Sequence, residues 1–294
     1  MTSTRLGGSS FVVAAVAFDH LIGEPPTPVH PVAWFGSGMH RLEDATYRPS
    51  IRAGALHWSI GVGGALAVGW CLRALLGRRL ATTVAGTVAI AARMLVDEVT
   101  AVGDALERGD VEVARTHVAG LVGRDVTGLD VSGIARAAIE TTAENGVDAV
   151  VATLWWGLVG GAPGVCVHRA VNTLDAMIGH RSERYERFGR VAAVADDIAN
   201  WVPARLAVVA TVLSRPHRSL PIARTIRRDA AVHPSPNGGL IEAAYAGALG
   251  VRLGGVNCYG DEVQDRGTLG DGADPEAHDV GRAVRLLHDV TLVT

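Results

Sequence analysis

The chain has no lysine, so all 27 positions counted as Lys+Arg are arginine. A Schiff-base lysine, a Walker-type phosphate-loop lysine and a kinase-type lysine are therefore excluded. Any handling of phosphate must use arginine, a metal ion or backbone N–H groups. Cysteine is scarce: Cys71, Cys166 and Cys258 are scattered and form no CxxC pair. That argues against both a disulfide framework and a zinc site. Charge is also sparse, at 19% of residues with a net charge of −3. No basic domain is present, so nucleic acid is not an expected partner.

Apolar side chains fill the space left by these absences. Hydrophobic residues make up 48% of the 294, and the mean hydropathy is +0.24. This is apolar for a soluble enzyme and points to a membrane protein carrying substantial polar loops. Its amphipathic helices and polar loops are expected at the cytoplasmic face. We read residues 1–294 as one domain organised around a central region, 124–205.

Residues 11–18 are apolar behind Arg5 but are interrupted by Asp19-His20, and they read as a retained helix rather than a cleaved signal. A proline-rich loop follows through Pro31, in which His30 is either functional or bonded to backbone. Residues 54–76 are long enough for a roughly 30 Å hydrocarbon core. Gly61, Gly63, Gly64 and Gly69 within them suit close helix packing. Arg78-Arg79 then separates a shorter apolar run, 80–96, which predicts a helical hairpin. Residues 149–171 could also span, with a break at Gly160-Gly161-Ala162-Pro163-Gly164. Arg181, Arg184, Arg187 and Arg190 read as a solvated face, and 201–213 is too short to cross. With the arginines from Arg215 to Arg228, this places the later loops on the cytoplasmic side. Residues 250–260 read as loop, 261–279 as polar and mobile, and 280–294 as amphipathic.

Four polar groups interrupt the apolar centre. Arg136, Glu140, Glu144 and Asp148 recur at i, i+4, drifting only about 40° per step along one helical face. They form either a solvated, paired face or a site, and Asn145-Gly146 reads as a helix stop that detaches Asp148. Asn172 and Asp175, at i, i+3, offer hard oxygen donors of the kind magnesium takes, or an ordinary cap. Asp196-Asp197 repel unless a cation or arginine neutralises them, and Asn200 lies one turn on. Pro203-Ala204-Arg205 is the fourth group. Beyond the centre, His233-Pro234-Ser235-Pro236-Asn237-Gly238-Gly239 forms a turn before a helix over 240–249, with Asn237 as N-cap and a start suited to an anion.

Taken in order, these motifs resemble the CobD/CbiB family of adenosylcobinamide-phosphate synthases. The resemblance covers roughly residues 19–260. It runs through Asp19–Pro31, Gly123-Arg124-Asp125, Glu140…Glu144-Asn145…Asp148 and Asn172-Thr173-Leu174-Asp175…Gly179. It continues through Glu183-Arg184-Tyr185…Phe188-Gly189, Asp196-Asp197…Pro203-Ala204-Arg205 and Ser235-Pro236-Asn237. Glu24, Val194 and the Gly-Gly-Leu after Asn237 depart from the family pattern, and the C-terminus is short for a last span. None of these touches the central acidic groups.

The resemblance implies an all-α, multi-pass integral protein of the inner (cytoplasmic) membrane. Its implied reaction is ATP-dependent amide ligation of aminopropanol, or its phosphate, to the free propionate carboxylate of adenosylcobyric acid. ATP and Mg2+ are implied with it. The bilayer, the corrinoid, the amino alcohol and other late cobalamin-pathway enzymes are the implied partners. On that reading Asn172, Asp175, Asp196 and Asp197 hold magnesium. Arg124, Asn145, Arg205, Ser235 and Asn237 bind substrate or phosphate, and Glu140, Glu144 and Asp148 are catalytic. A corrinoid transporter and a membrane scaffold for the late assembly enzymes are the alternatives. A transporter predicts more full-length spans, and a scaffold needs no clustered carboxylates.

Overall fold

The computed structural model describes residues 14–19, 21, 23, 27–180, 182–259 and 262–294. The prolines Pro25 and Pro26, and Glu24, lie outside the described residues. The helices are α1 (Pro31–Thr46), α2 (Ile51–Ala89), α3 (Ala92–Glu107), α4 (Val111–Ala119), α5 (Val131–Gly146) and α6 (Ala152–Leu174). They continue with α7 (Arg190–Ala199), α8 (Trp201–Ser214), α9 (Ser219–Asp229), α10 (Gly238–Leu249) and α11 (Ala277–Val293). Two strands, β1 (Leu253–Tyr259) and β2 (Glu262–Leu269), precede α11. The chain forms two compact units, one through Arg93 with Asp148–Asn200, the other Met94–Val147 with Trp201–Thr294.

The first unit is built on α2 and α6. Each carries one non-helical residue, Gly77 in α2 and Gly161 in α6, with Pro163 two residues beyond the second break. The break at Gly77 falls immediately before Arg78-Arg79, where the sequence predicts the apolar run to divide. Ala81, Ala85 and Ala89 of α2 pack with Ala162 and Val165 of α6. Gly61 and Gly69 face protein, whereas Gly63 and Gly64 meet open space. Leu56, Ile60, Leu66, Val68, Trp70 and Leu75 are exposed along α2. Two helical stretches, Ile51–Glu107 and Val131–Gly179, are long and apolar enough to cross a membrane, and little of the first is buried.

The polar end of this unit closes on Met39, Leu174, Ile178, Phe188 and Ala192. Buried Glu43 accepts from Arg184 Nη2 at 2.8 Å and from the Tyr185 hydroxyl at 2.9 Å. The Arg184 guanidinium also lies 4.0 Å over the Tyr47 ring. The arginine-rich stretch is therefore not merely solvated, because Arg184 neutralises an interior carboxylate. His30 takes the bland role: its Nδ1 accepts the Val32 N–H and caps α1.

In the second unit α3, α4, α5 and α11 share one core, including Leu95, Val99, Val102, Ile134, Ala138, Val280 and Leu287. The expected amphipathic C-terminus is α11, which buries Val280, Ala283, Leu286, Leu287 and Val290. The expectation of an all-α fold fails at β1 and β2, an antiparallel hairpin pairing Val256 with Asp265 and Cys258 with Val263. Glycines and polar residues dilute the alternation there, so the stretch reads as loop in the sequence. Asn145-Gly146 does not stop its helix either. The chain continues through a π-helical turn, Val147–Val151, into α6. Gly146 serves packing, since a Cβ there would come 2.7 Å from Leu287 Cδ1.

Candidate functional site

Helix α5 begins on Asp130, whose Oδ1 accepts the Gly133 N–H at 2.8 Å. Its period turns Glu140 and Glu144 toward a cavity of about 180 Å³, lined also by Arg124, Thr141, Asn145 and Arg266. Glu140 is only 3% exposed and is held firmly. Arg124 Nη2 lies 2.7 Å from its Oε2, the Gly254 N–H donates to its Oε1 at 2.7 Å, and Arg136 Nε stands 3.9 Å away. The pairing of Arg136 with Glu140 and the grouping of Arg124, Glu140, Glu144 and Asn145 are thus present. Asn145 Nδ2 donates to Thr141 Oγ1 at 2.7 Å. Glu144 is the more accessible carboxylate, with 37% of its side chain exposed.

The turn before α10 joins this cavity's surroundings. Asn237 occupies the N-cap position, but its side chain makes no cap bond. Instead Ser235 Oγ accepts the N–H groups of Asn237 and Gly238, at 3.3 and 3.1 Å. Asn237 Oδ1 accepts from Arg205 Nη1 at 3.2 Å, and the Arg205 guanidinium lies 4.0 Å over the Trp201 ring. Capping therefore passes from Asn237 to Ser235, and α10 starts two residues earlier than the sequence suggests.

Three residues that sequence reasoning missed complete the cluster. Glu242 of α10 is fully buried, with His233 Nε2 at 3.5 Å and Arg266 Nη1 at 3.8 Å from its Oε1. Arg266 Nη1 also lies 3.7 Å from Glu144 Oε1. Glu144, His233 and Glu242 present ligand-type atoms within 4.8 Å of one another. Burial holds the Glu242 carboxyl well above its usual range, and the charges of Glu144 and Glu140 push the same way. Burial lowers His233, with the Arg266 charge acting in the same direction. A lone glutamate in the otherwise apolar run Gly238–Leu249 was the available signal for Glu242.

The other acidic residues fall in the first unit. The π turn adds a residue to the helical repeat and takes Asp148 off the row of Glu140 and Glu144. Asp148 Oδ2 accepts from Asn172 Nδ2 at 2.9 Å. Asn200 Nδ2 donates to Asp196 Oδ2 at 3.0 Å, while its Oδ1 lies 3.0 Å from His168 Nε2. Burial raises the Asp196 carboxyl to about 6; hydrogen bonds from Asn200 and Asn172 pull it down, and the neighbouring Asp197 charge pushes it up. Asp175 opens a second π-helical turn, Asp175–Gly179, and lies against Gly179. Asp148, Asn172, Asp196 and Asn200 thus offer hard oxygen donors in one hydrogen-bonded network, a set that fits magnesium. With its carboxyl raised to about 6, Asp196 binds a cation in competition with a proton as pH falls toward that value.

A larger cavity of about 480 Å³ in the second unit is lined by Arg215, His217, Arg218, Arg282 and Arg285. Several of these arginines satisfy the C-terminal end of α10. Arg218 donates to the Gly247 carbonyl and Arg282 to that of Leu249, at 3.0 and 2.6 Å. Arg215 pairs with Asp289 at 2.7 Å, so this basic cluster carries structural duties beside any topological one.

Fold and clusters together define a mostly helical protein that combines membrane-length apolar helices with buried, ion-paired carboxylates. The chain belongs to the CobD/CbiB family, whose model, described as CobD/Cbib protein, matches residues 12–287. A Cobalamin biosynthesis protein CobD from Mycobacterium tuberculosis is 46% identical over 281 residues, covering 94% of this chain and 90% of its own. Proteins of the same name from Stutzerimonas stutzeri and Chromobacterium violaceum are 43% and 40% identical, covering 94% and 96% of this chain and 92% and 93% of theirs. No solved structure matches.

Proposed function

We propose that this chain is a membrane-embedded ligase of cobalamin biosynthesis. It joins aminopropanol or its phosphate to the free propionate carboxylate of adenosylcobyric acid, with ATP as the activating substrate. Family membership supports the pathway. The observation that carries the site assignment is the cavity in which Glu140, Glu144 and Asn145 face Arg124 and Arg266. The outward apolar face of α2 supports the bilayer setting, while the inner membrane and several crossings rest on the family resemblance.

A carboxylate does not acylate an amine at neutral pH until one of its oxygens becomes a leaving group. Transfer of the γ-phosphoryl group to the propionate gives an acyl phosphate and ADP. Attack by the amine then forms the amide and releases phosphate. Such chemistry rests on positioning and charge neutralisation. Glu140 is clamped by Arg124 and the Gly254 N–H, so it orders the cavity wall. Glu144, more exposed and on the same wall, takes the proton that the ammonium nucleophile must lose. Arg205, held against Trp201 and Asn237, steadies phosphate oxygens together with the Ser235 turn. Magnesium, when bound by Asn172 and Asp196, with Asp148 of the same network and the sequence-predicted Asp175 and Asp197, would supply charge neutralisation to polyphosphate.

The test uses detergent-purified protein with adenosylcobyric acid, ATP-magnesium and each amine in turn, and product is detected by mass. Adenosylcobinamide or its phosphate is expected in step with ADP. Failure of both amines, with the corrinoid bound and unchanged, would contradict the ligase reading and favour transport or scaffolding.

A further inference from the structure

Glu242 poses a specific problem. It is fully buried, and among the described residues only the Glu144 carboxyl is in hydrogen-bond contact with it, with no N–H or hydroxyl donor on either oxygen. A buried carboxylate left in that condition is costly unless a cation or proton lies against it. His233 faces it: Nε2 lies 3.5 Å from Glu242 Oε1 and also lacks a hydrogen bond. The other ring nitrogen, Nδ1, accepts the Ser235 N–H at 3.1 Å and stands the same distance from the Ser235 carbonyl. With Nδ1 accepting, Nε2 carries the ring proton toward the carboxylate. A cation at Nε2 would move that proton to Nδ1, where the carbonyl can accept it.

The arginines are unevenly placed. Three carboxylates face three guanidiniums, but Arg124 and Arg136 both lie at Glu140. Glu144 and Glu242 have Arg266 between them, its Nη1 3.7 and 3.8 Å from their Oε1 atoms. Two ligand atoms bonded at about 2.1 Å and subtending a tetrahedral angle are separated by about 3.4 Å. The 3.5 Å between His233 and Glu242 has that spacing, and Glu144 completes a set within 4.8 Å.

Gly238 adds an independent constraint. A Cβ there would come 2.7 Å from Glu144 Oε1 and 3.1 Å from His233 Cε1. The turn thus closes directly on these two side chains, and a side chain at position 238 would push into the cluster.

We infer that Glu144, His233 and Glu242 form a binding site for a divalent first-row transition ion, such as zinc or manganese. The imidazole selects that class over magnesium, which prefers an all-oxygen shell. A histidine whose second nitrogen donates to a backbone carbonyl is the usual arrangement around such an ion. The site goes beyond the ligase reading and does not depend on it. It also leaves Glu144 its proposed work, because a carboxylate that ligates through one oxygen keeps the other for a proton.

The experiment uses the full chain in detergent, stripped with chelator and titrated separately with zinc, manganese and magnesium. Metal content and calorimetry are read out rather than turnover. Zinc or manganese is expected to bind at this site with one-to-one stoichiometry lost in Glu242→Gln and weakened at least roughly tenfold in His233→Ala. Magnesium should not compete for it at equal concentration. Cobalt-loaded protein gives a second readout that does not rely on the variants folding equally well. Its visible absorption should indicate four- or five-coordinate nitrogen and oxygen ligation and should change in His233→Ala. Zinc and manganese binding that is absent in the wild type, or unchanged in both variants, would overturn the assignment. So would cobalt spectra indifferent to His233.

Discussion

The candidate acidic clusters of the two units, leaving aside the Glu43–Arg184 pair of the first, answer the same problem, carboxylates inside a largely apolar chain, with different partners. In the first, Asp148 and Asp196 are held by the side-chain amides of Asn172 and Asn200. In the second, Glu140, Glu144 and Glu242 lie among Arg124, Arg136 and Arg266. Neutral amides orient a carboxylate without cancelling its charge, so the first network retains its appetite for a cation or a proton. Arginines cancel charge locally and fix geometry, which suits a wall against which a substrate is placed. The difference argues for a division of labour: ion binding by amide-held aspartates, positioning and proton transfer by arginine-held glutamates.

Asp197→Asn offers the hardest break of that comparison. Turnover is expected to fall below detection while membrane insertion persists, as checked by the ligation assay on membrane-extracted protein. Retained turnover would remove the aspartates from the chemistry.

Arg124→Ala strands a buried glutamate charge and should cost about 3–5 kcal/mol, seen as a large drop in the thermal midpoint. Asn200→Ala removes a neutral donor shared by Asp196 and His168 and should cost less, about 1–3 kcal/mol. An equal cost for the two would erase the distinction between the networks.

Away from both sites, Asp229 accepts from Arg228 Nη2 at 2.7 Å and from the Gly270 N–H at 2.8 Å. The Arg228 bond holds its carboxyl below the usual carboxylate range, and the Gly270 N–H acts the same way. A carboxyl lowered by folding stabilises above its unfolded pKa, about 3.9, and loses that contribution as pH falls through the folded value. Acid unfolding of Asp229→Asn should therefore be shallower than wild type below about pH 4, measured by circular dichroism. The exposed pair Arg252–Asp274 should matter least: Arg252→Ala is expected to change stability by under about 1 kcal/mol.

Much of the candidate site is legible in the linear order of residues, for a physical reason. Glu140, Glu144, Asn145 and Thr141 share one helix, so their common face follows from the 3.6-residue period. Arg124 enters through a neighbouring motif. His233, Glu242 and Arg266 are brought together by a turn, a helix and a hairpin, and no local spacing encodes that meeting. Arg266 in particular sits on β2, where glycines and charges obscure the strand pattern. Asp148 went astray because one π turn changes the register, and a π turn leaves no composition signal of its own. The apolar helices were the easier part. Their length and lack of charge are properties of composition, although the break in α2 at Gly77 is set by one residue.

Glu144 is where the account is most exposed. Single-turnover ligation with wild type and Glu144→Gln, at saturating ATP-magnesium and corrinoid, measures its part directly. The account predicts that the glutamine variant still binds the corrinoid but forms no amide, with partial recovery at high pH, where the amine loses its proton unaided. Amide formation at the wild-type rate at neutral pH would contradict it.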